Sequence, residues 1–187
     1  MKTEQRITIG VPFAGDRLGG SHISLRGLLD ALPETLYRVI VIPEVADGRI
    51  AEFFSEYEQI EDPCALEKPF KVGRSFGIGS ALRTLPRAFG RARLLRELGV
   101  DIVHTNDGRS HASWALAAKL AGSRIVWHHR GDPDARGTSL VTPVLADQIV
   151  SVSEYSLPRR RWGKLSKARV IHSPFDVDIS VDRTEMR

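Results

Sequence analysis

The fold is decided by residues 101–130, which read DIVHTNDGRSHASWALAAKLAGSRIVWHHR. Two short apolar runs, Asp101–Val103 and Arg124–Trp127, enclose a small-residue helical pattern over Ser110–Leu120, and Gly122 stands where a C-terminal helix cap belongs. A strand, a helix and a second strand in this order predict two parallel strands joined by a right-handed crossover. Polar residues directly follow both runs, and ligands bind at this edge of open parallel sheets.

The same alternation continues on both sides of this unit. Further strands are predicted at Ile7–Val11, Tyr37–Ile42, Gln148–Val152 and Ala168–Ile171. Their residues are apolar at successive positions, as in parallel strands that are covered on both faces. Helices are predicted at Ser21–Leu32, Ser75–Leu98 and 153–162, with loops at 61–74 and 131–139. The sequence therefore predicts an α/β fold, a Rossmann-like parallel sheet flanked by helices on both faces.

Composition excludes several classes of protein. The chain has 187 residues, of which 42% are hydrophobic and 27% charged, so complete disorder and collagen-like or coiled-coil structure are excluded. No run approaches the roughly 18 apolar residues of a membrane-spanning helix. No apolar segment of a secretory signal follows the charged N-terminus, and the single Cys64 forms no internal disulfide. We therefore expect a cytoplasmic protein.

Charge is segregated along the chain. Residues 44–67 contain eight acids and one base, whereas residues 74–97 contain six arginines and one acid, and residues 155–170 contain six bases and no acid. Two basic stretches on one domain indicate an anionic partner, and a solvated face is the plain alternative. Nucleic acid is disfavoured as that partner because aromatic residues are only 7% of the chain and do not interleave with the arginines.

The helix predicted from Ser75 carries one of the basic stretches. Pro86 indicates a break, a kink or the start of a second helix. In a helix that persists through Pro86, the arginines lie opposite an apolar stripe that includes Phe89. The residues predicted to form an anion-binding or membrane-binding surface are Arg83, Arg87, Arg91, Arg159, Arg160 and Arg161.

Two groups of polar residues follow predicted strands in the first half of the chain. Gly19, Gly20 and Ser21 open a helix whose free N–H groups suit an anion, although a simple serine cap after a flexible loop is the alternative. His104 and Asn106 follow the strand at Asp101–Val103. They are candidate ligand contacts, or Asn106 caps the next helix and His104 is a hydrogen-bonded residue at a strand end.

A third group, His128, His129 and Arg130, follows the strand at Arg124–Trp127. An arginine fork and imidazole groups suit phosphate and hydroxyl ligands, and one packed histidine beside one exposed histidine is the alternative. The histidines match no strong metal motif, and adjacent histidines on a strand point to opposite faces. We therefore expect no metal site.

Taken in order, several segments resemble the N-terminal domain of GT-B glycosyltransferases, specifically the retaining enzymes of family 4. Three segments carry the first part of the resemblance: Gly19-Gly20-Ser21 after a first strand, residues 101–104 before a small-residue helix, and residues 124–130. Residues 146–154 resemble the family's alanine-aspartate and valine-serine segment. Residues 170–176 stand where the family has isoleucine and then asparagine-glycine-valine-aspartate, with Ser173-Pro174 as a departure at the hinge turn. The resemblance covers nearly all of residues 6–178.

The resemblance implies a domain organisation and an activity. Residues 1–178 are expected to form the N-terminal Rossmann-like domain of a GT-B fold, and residues 179–187 a polar tail or the start of an interdomain linker. The C-terminal nucleotide-sugar domain is expected to be absent. The joined enzyme would move a sugar from a nucleotide-sugar to a glycan or lipid-linked acceptor in cell-envelope polysaccharide synthesis, without a metal or other cofactor. The lone half is expected to bind the acceptor, to be inactive, and to lie in the cytoplasm or on the inner face of the membrane.

The resemblance also implies roles for the candidate residues. Gly19, Gly20 and Ser21 match the glycine loop near the donor diphosphate and the acceptor. A catalytic residue that touches the transferred sugar is expected at the end of the fifth strand, where His128 and Arg130 are the two candidates. The other predicted substrate contacts are His104, Asn106, His129 and Ser153.

Two further functions compete with the transferase. The first is a non-catalytic Rossmann-like module that binds a phosphorylated or sugar ligand and needs no second domain. The other is a metal-dependent hydrolase built on the histidines.

Overall fold

Seven parallel strands form one sheet in the computed structural model, which describes residues 6–65, 78–131, 142–157 and 168–173. The strands are β1 (Ile7–Pro12), β2 (Tyr37–Ile42), β3 (Glu58–Gln59), β4 (Ile102–Thr105), β5 (Arg124–His129), β6 (Gln148–Ser151) and β7 (Ala168–Val170). Their spatial order is β3-β2-β1-β4-β5-β6-β7, and every neighbouring pair is parallel. The predicted Rossmann-like α/β fold is confirmed. The strand order reverses between β1 and β4, which places a ligand crevice at their carboxyl ends.

Helices cover both faces of the sheet. They are α1 (Gly20–Asp30), α2 (Arg49–Phe53), α3 (Ile78–Glu97), α4 (Gly108–Ala121) and α5 (Thr142–Leu145). On one face α1 and α2 bury Leu25 and Phe54 against Val11 and Val41. A second core, between α3, α4 and the other face, includes Ile40, Leu95, Trp114 and Ile125. Burial on both faces explains why the strands are apolar at successive positions.

Local signals fix the two ends of α4. The carboxylate of Asp107 accepts from the backbone N–H groups of Arg109 and Ser110 at 2.7 and 2.8 Å, which caps the N-terminus. Gly122 closes the other end in the left-handed conformation, with φ of 87°, as predicted from its position. The chain then enters β5, whose residues pair in register with β4 from Ile102–Arg124 to Thr105–Trp127.

Helix α3 differs from the prediction in two ways. It is continuous through Pro86, so the predicted break or second helix is not formed. Its buried side carries Ala88, Ala92 and Leu95, whereas Phe89, which was predicted on the apolar stripe, is 63% exposed. Ala92 and Leu95 belong to the predicted stripe and are buried as expected, so Phe89 is the misplaced residue among the described side chains of that stripe.

The predicted surface role of Arg91 is wrong because this side chain is buried against α4. Its guanidinium forms an ion pair with Asp62 at 2.6 Å, donates to the carbonyl of Ser113 at 3.0 Å and lies 4.7 Å from the ring centroid of Trp114. An acid from a different segment neutralises the arginine, and this pairing makes burial of the charge possible. Arg87 is half-buried. The side chain of Arg83 and all of Arg159, Arg160 and Arg161 lie outside the described residues.

Sequence patterns missed the short elements. The two-residue strand β3, helix α2 and helix α5 were not predicted, and Ser153–Leu157 forms turns where the first half of a helix was predicted. Residues 158–162 of that predicted helix, and most of the predicted loops at 61–74 and 131–139, lie outside the described part of the chain. Within the described part, no helix is both long enough and apolar enough to span a bilayer.

Candidate functional site

The carboxyl ends of β1, β4 and β5 bring together most of the residues predicted from sequence. Gly19, Gly20 and Ser21 form the start of α1, where Gly19 is the N-cap residue. Asn106 directly follows β4, and Arg130 directly follows β5. The point where strand order reverses is therefore lined from three directions by residues that sequence analysis had selected.

Arg130 joins these elements. Its guanidinium donates to Oδ1 of Asn106 at 3.1 Å, to the hydroxyl of Ser24 at 3.1 Å and to the hydroxyl of Ser173 at 2.8 Å. The partners come from the β4–α4 connection, from α1 and from the segment after β7. Burial lowers the pKa of Arg130, yet a guanidinium remains charged. The described residues thus hold a cation at this edge with neutral partners.

His128 is oriented by the same guanidinium. Nη2 of Arg130 lies 3.3 Å from Nδ1 of His128. Because arginine can only donate, Nδ1 must accept, and the proton of the neutral imidazole then resides on Nε2. Nε2 is buried and has no hydrogen-bond partner among the residues that the structure describes. His128 therefore holds an N–H donor that is fixed in orientation and not used by the fold.

His104 stands beside His128, with 5.8 Å between the two ring centroids. Burial, followed by the charge of Arg130, lowers the pKa of His104 to about 4. Burial also lowers the pKa of His128 to about 3, and Arg130 and the neighbouring histidines add to this effect. Both rings are consequently neutral at physiological pH, so they act through hydrogen bonds rather than through charge.

Another histidine shapes the start of α1. The backbone N–H of Gly19 donates to Nδ1 of His22 at 3.1 Å, and the imidazole stacks on Phe13 with 5.4 Å between centroids. Burial lowers the pKa of His22, which keeps this acceptor nitrogen free of a proton. Gly19, the N-cap residue, has no side chain, so no N-cap side chain accepts from the N–H groups of the first turn of α1. The positive end of the helix is therefore directed at the crevice.

Asn106 links α1 to β4. Its side-chain amide donates to the carbonyl of Ser21 at 3.0 Å, while its carbonyl oxygen accepts from Arg130. The side chain is 1% exposed. The alternative role of helix cap belongs to Asp107 instead, and Asn106 positions the glycine loop relative to Arg130.

The structure does not bring His129 into this cluster. Its ring lies on the opposite face of β5, 4.6 Å from the ring of Trp127, which in turn stacks on His111 at 4.9 Å. His111 lies 2.9 Å from the hydroxyl of Thr105 and is fully buried. Adjacent residues of a strand point to opposite faces of the sheet, which explains why His129 lies away from His128. The geometry therefore does not support a substrate contact by His129.

Ser153 also stands apart from the Arg130 cluster. It lies in the turn after β6 and exchanges hydrogen bonds with Ser156, including one from the hydroxyl of Ser156 to the carbonyl of Ser153 at 2.9 Å. Three residues that the structure places near the site were not selected from sequence: Ser24, Arg109 and Ser173. In the sequence, Ser173 stands out only as a departure from the family's hinge turn. Ser24 and Arg109 belong to no motif that would mark them as site residues.

The histidines do not assemble with acids into a metal site. Among residues 6–65, 78–131, 142–157 and 168–173, no group of three or more histidine, cysteine or acidic side chains is placed to hold an ion. His104 and His128 lie on one face of the sheet, and His129 and His111 lie together on the other.

Known structures share the fold of this chain. HepE of Anabaena, solved with UDP and glucose, superposes with a TM-score of 0.66 and 16% identity over 91% of this chain and 45% of HepE. The apo form of the lipopolysaccharide outer core galactosyltransferase WaaB gives a TM-score of 0.64 and 14% identity over 90% of this chain and 46% of WaaB. A UDP-N-acetylglucosamine 2-epimerase gives a TM-score of 0.59 and 16% identity over 89% of this chain and 48% of that chain. The chain thus spans about half the length of the structures it matches.

Comparison of the sequence with known proteins and with protein-family models identifies the family. No curated protein sequence shows significant similarity to the chain. The model of Glycosyltransferase Family 4, in contrast, matches residues 18–179, which is most of the chain. The chain belongs to glycosyltransferase family 4 and has the fold of an N-terminal domain of its GT-B enzymes.

Proposed function

We propose that this chain is the acceptor-binding half of a retaining glycosyltransferase that moves a sugar from a nucleotide-sugar to a glycan or lipid-linked acceptor. The observation that carries the proposal is the buried Nε2–H of His128, which has no hydrogen-bond partner among the described residues. Its orientation is fixed by Arg130, which also contacts Ser24 in α1. A sugar presents hydroxyl groups that such a donor recognises, and a leaving diphosphate carries the negative charge that a helix N-terminus stabilises.

The residues of the cluster have distinct roles in the proposed reaction. The bond between the anomeric carbon and the phosphate oxygen breaks, the acceptor oxygen bonds to that carbon on the same face, and the acceptor's proton passes to the leaving phosphate oxygen. His128 donates from Nε2 to a hydroxyl of the transferred sugar. The N–H groups at Gly20 and Ser21 face the developing phosphate charge, and this preorganised field needs no metal. Arg130 acts as a positioning residue for His128.

We also propose that the reaction requires a second, donor-binding domain. The chain covers 45% of HepE and 46% of WaaB, so less than half of either protein corresponds to it. By this proposal the present chain binds the acceptor and is inactive by itself.

The proposed location is the cytoplasmic face of the membrane, in the synthesis of cell-envelope polysaccharide. Helix α3 exposes Pro86, Phe89, Arg93 and Arg96. An exposed aromatic ring one turn before a basic side chain suits the headgroup region of an anionic bilayer. The likeness to a lipopolysaccharide galactosyltransferase fits an envelope acceptor.

Sugar transfer by the chain joined to a donor-binding domain tests the proposal. The chain, alone or fused after residue 187 to the donor-binding half of HepE, is incubated with radiolabelled UDP-glucose and a detergent extract of envelope glycolipids. We expect labelled product only from the fusion, with the anomeric configuration of the donor retained in its NMR spectrum. Product from the chain alone would overturn the need for a second domain, and an inverted product would overturn the retaining mechanism. Binding of glycolipid without transfer by the fusion would favour a non-catalytic binding module.

A further inference from the structure

Three acidic side chains near the β1–α1 loop are already engaged with backbone N–H groups. Glu44, after β2, accepts from Gly15, and Asp16 accepts from Ile50 in the first turn of α2 at 3.0 Å. Asp107 caps α4. These carboxylates organise the loops at the edge of the sheet, and they are not paired with the arginines there.

Arg109 lies against the same loop without a counter-ion. A Cβ built on Gly15 would lie 3.5 Å from Nη1 and 3.8 Å from Nη2 of Arg109, so the guanidinium rests on the backbone of this glycine. Gly15 has a φ of 83°, a conformation that favours glycine. Because glycine has no side chain, the guanidinium contacts the backbone directly. Over the described ranges, Arg109 forms no ion pair, and its side chain is half-buried.

The place of Arg109 in α4 is unfavourable for stability. It occupies the first turn, where the helix presents its positive end, and this turn contains no acidic residue. Cations stabilise the last turn of a helix and destabilise the first. Among the described residues, no ion pair compensates the charge of Arg109 at this position, and an external anion would do so.

The described residues hold Arg109 and Arg130 differently. Arg130 donates to Asn106, Ser24 and Ser173, whereas Arg109 rests on Gly15 and forms no ion pair in the described ranges. Both charges add to the lowering of the pKa of His22 that burial causes, so the two cations lie at the same end of the sheet. Because the proposed reaction places the donor diphosphate at the N-terminus of α1, Arg109 is the cation that remains for a phosphate group of the acceptor.

We propose that Arg109 binds a phosphate group of the acceptor, so that the acceptor is a phosphorylated sugar or a phospholipid-linked glycan. This inference rests on the proposed function and names its acceptor class. A guanidinium fork suits the oxygens of a phosphate monoester or diester.

Binding of methyl phosphate to the 187-residue chain tests this proposal by NMR titration. We expect Arg109→Gln to weaken binding about tenfold and Arg109→Lys to weaken it less. The matched control Arg124→Gln removes an exposed arginine at the start of β5, at the opposite edge of the sheet, and is expected to leave the affinity within about twofold of the wild type. Circular dichroism establishes that each variant is folded.

Competition with UDP separates the acceptor from the donor as the source of the phosphate. The competition uses the HepE fusion, which carries a donor-binding half, and we expect saturating UDP to leave the affinity of the fusion for methyl phosphate unchanged. Displacement by UDP would overturn the proposal in favour of the donor diphosphate, and equal affinities of the Arg109→Gln and wild-type chains, or no binding of methyl phosphate, would overturn it outright. Sugar transfer by the HepE fusion is a separate readout, so transfer to a neutral acceptor would refute the role of Arg109 and leave the proposed function intact.

Discussion

Arg130 donates to Nδ1 of His128 at 3.3 Å and thereby fixes the proton of this imidazole on Nε2. The same guanidinium reaches Ser24 in α1 and Ser173 after β7. The orientation of the site histidine is therefore coupled to three other segments of the fold through one side chain.

The first prediction concerns Arg130→Lys. An ammonium lacks the planar fork and cannot hold Asn106, Ser24, Ser173 and His128 together, so the tautomer of His128 is expected to become mixed. Nitrogen-15 NMR of the imidazole measures the two tautomers directly. The wild-type signal should belong to the Nε2–H form alone. A variant with the same single tautomer would contradict the positioning role of Arg130.

The second prediction concerns pH and stability. The folded-state pKa values of His104 and His128 are lowered to about 4 and about 3, so the unfolded chain binds more protons below the ordinary histidine pKa. Stability contributed by the neutral rings is present above about pH 6.5 and is lost as the pH falls towards 4. We expect each histidine to account for about 2 kcal/mol of the loss between pH 7 and pH 4.5.

Urea unfolding at the two pH values measures this loss. His104→Gln is expected to reduce the pH dependence, whereas the exposed His172→Gln should leave it unchanged. Identical pH dependence in the His104 variant and the wild type would show that this imidazole is not buried in its neutral form.

The third prediction concerns the ion pair of Asp62 and Arg91, whose side chains are 1% and 4% exposed. Asp62→Ala leaves a buried guanidinium without its carboxylate and is expected to lower the free energy of unfolding by about 3–5 kcal/mol. Glu97→Ala removes the partner of the exposed Arg93 and should leave the urea midpoint unchanged. Equal midpoints for the two variants would contradict the burial of the Asp62 pair.

The fourth prediction compares two glycines. A Cβ at Gly48 would lie 2.6 Å from Cγ of Asp16 and would displace the carboxylate that accepts from Ile50. Gly48→Ala is therefore expected to cost about 1 kcal/mol of stability, as the loss of a helix cap does. A Cβ at Gly27, inside α1, meets nothing within 4 Å, and Gly27→Ala should stabilise the chain by about 0.5–1 kcal/mol. Thermal unfolding of both variants measures the difference, and destabilisation by Gly27→Ala would be inconsistent with the open surface there.

The fifth prediction concerns membranes. Phe89→Ser and Arg93→Gln should each reduce co-sedimentation with vesicles that contain anionic phospholipid, because both side chains are exposed on α3. Arg49→Gln removes the same charge from the exposed start of α2 and should have no effect. Equal losses with Arg93→Gln and Arg49→Gln, and none with Phe89→Ser, would indicate a response to net charge rather than a membrane-binding face.

The regular part of the fold was predictable from local sequence. Tyr37–Ile42 was predicted residue for residue, and Gly122 marked the end of α4, because buried parallel strands and left-handed caps leave strong local signals. The two-residue strand β3 has too few residues to show a period. Phe89 and Arg91 were assigned to the wrong faces because the pairing of Arg91 with Asp62 joins residues that are 29 positions apart.

The position of the candidate site was predictable from sequence, whereas the residues that form it were only partly predictable. Histidines at strand ends predicted the crevice, and the opposite placement of His128 and His129 follows from strand geometry. The contacts that define the role of Arg130 join it to Ser24, 106 positions away, and to Ser173. Arg109 becomes notable only when its position over Gly15 is known. Such tertiary contacts leave no periodic or spacing signal in the chain.

The rate of sugar transfer by a His128→Ala variant of the HepE fusion tests the central claim most directly. The lost Nε2–H donor is expected to lower the rate by about 100-fold or more, whereas His172→Ala, at the exposed histidine after β7, should transfer at the wild-type rate. Equal rates for the His128 variant and the wild type would contradict the assignment of this crevice as the site of transfer.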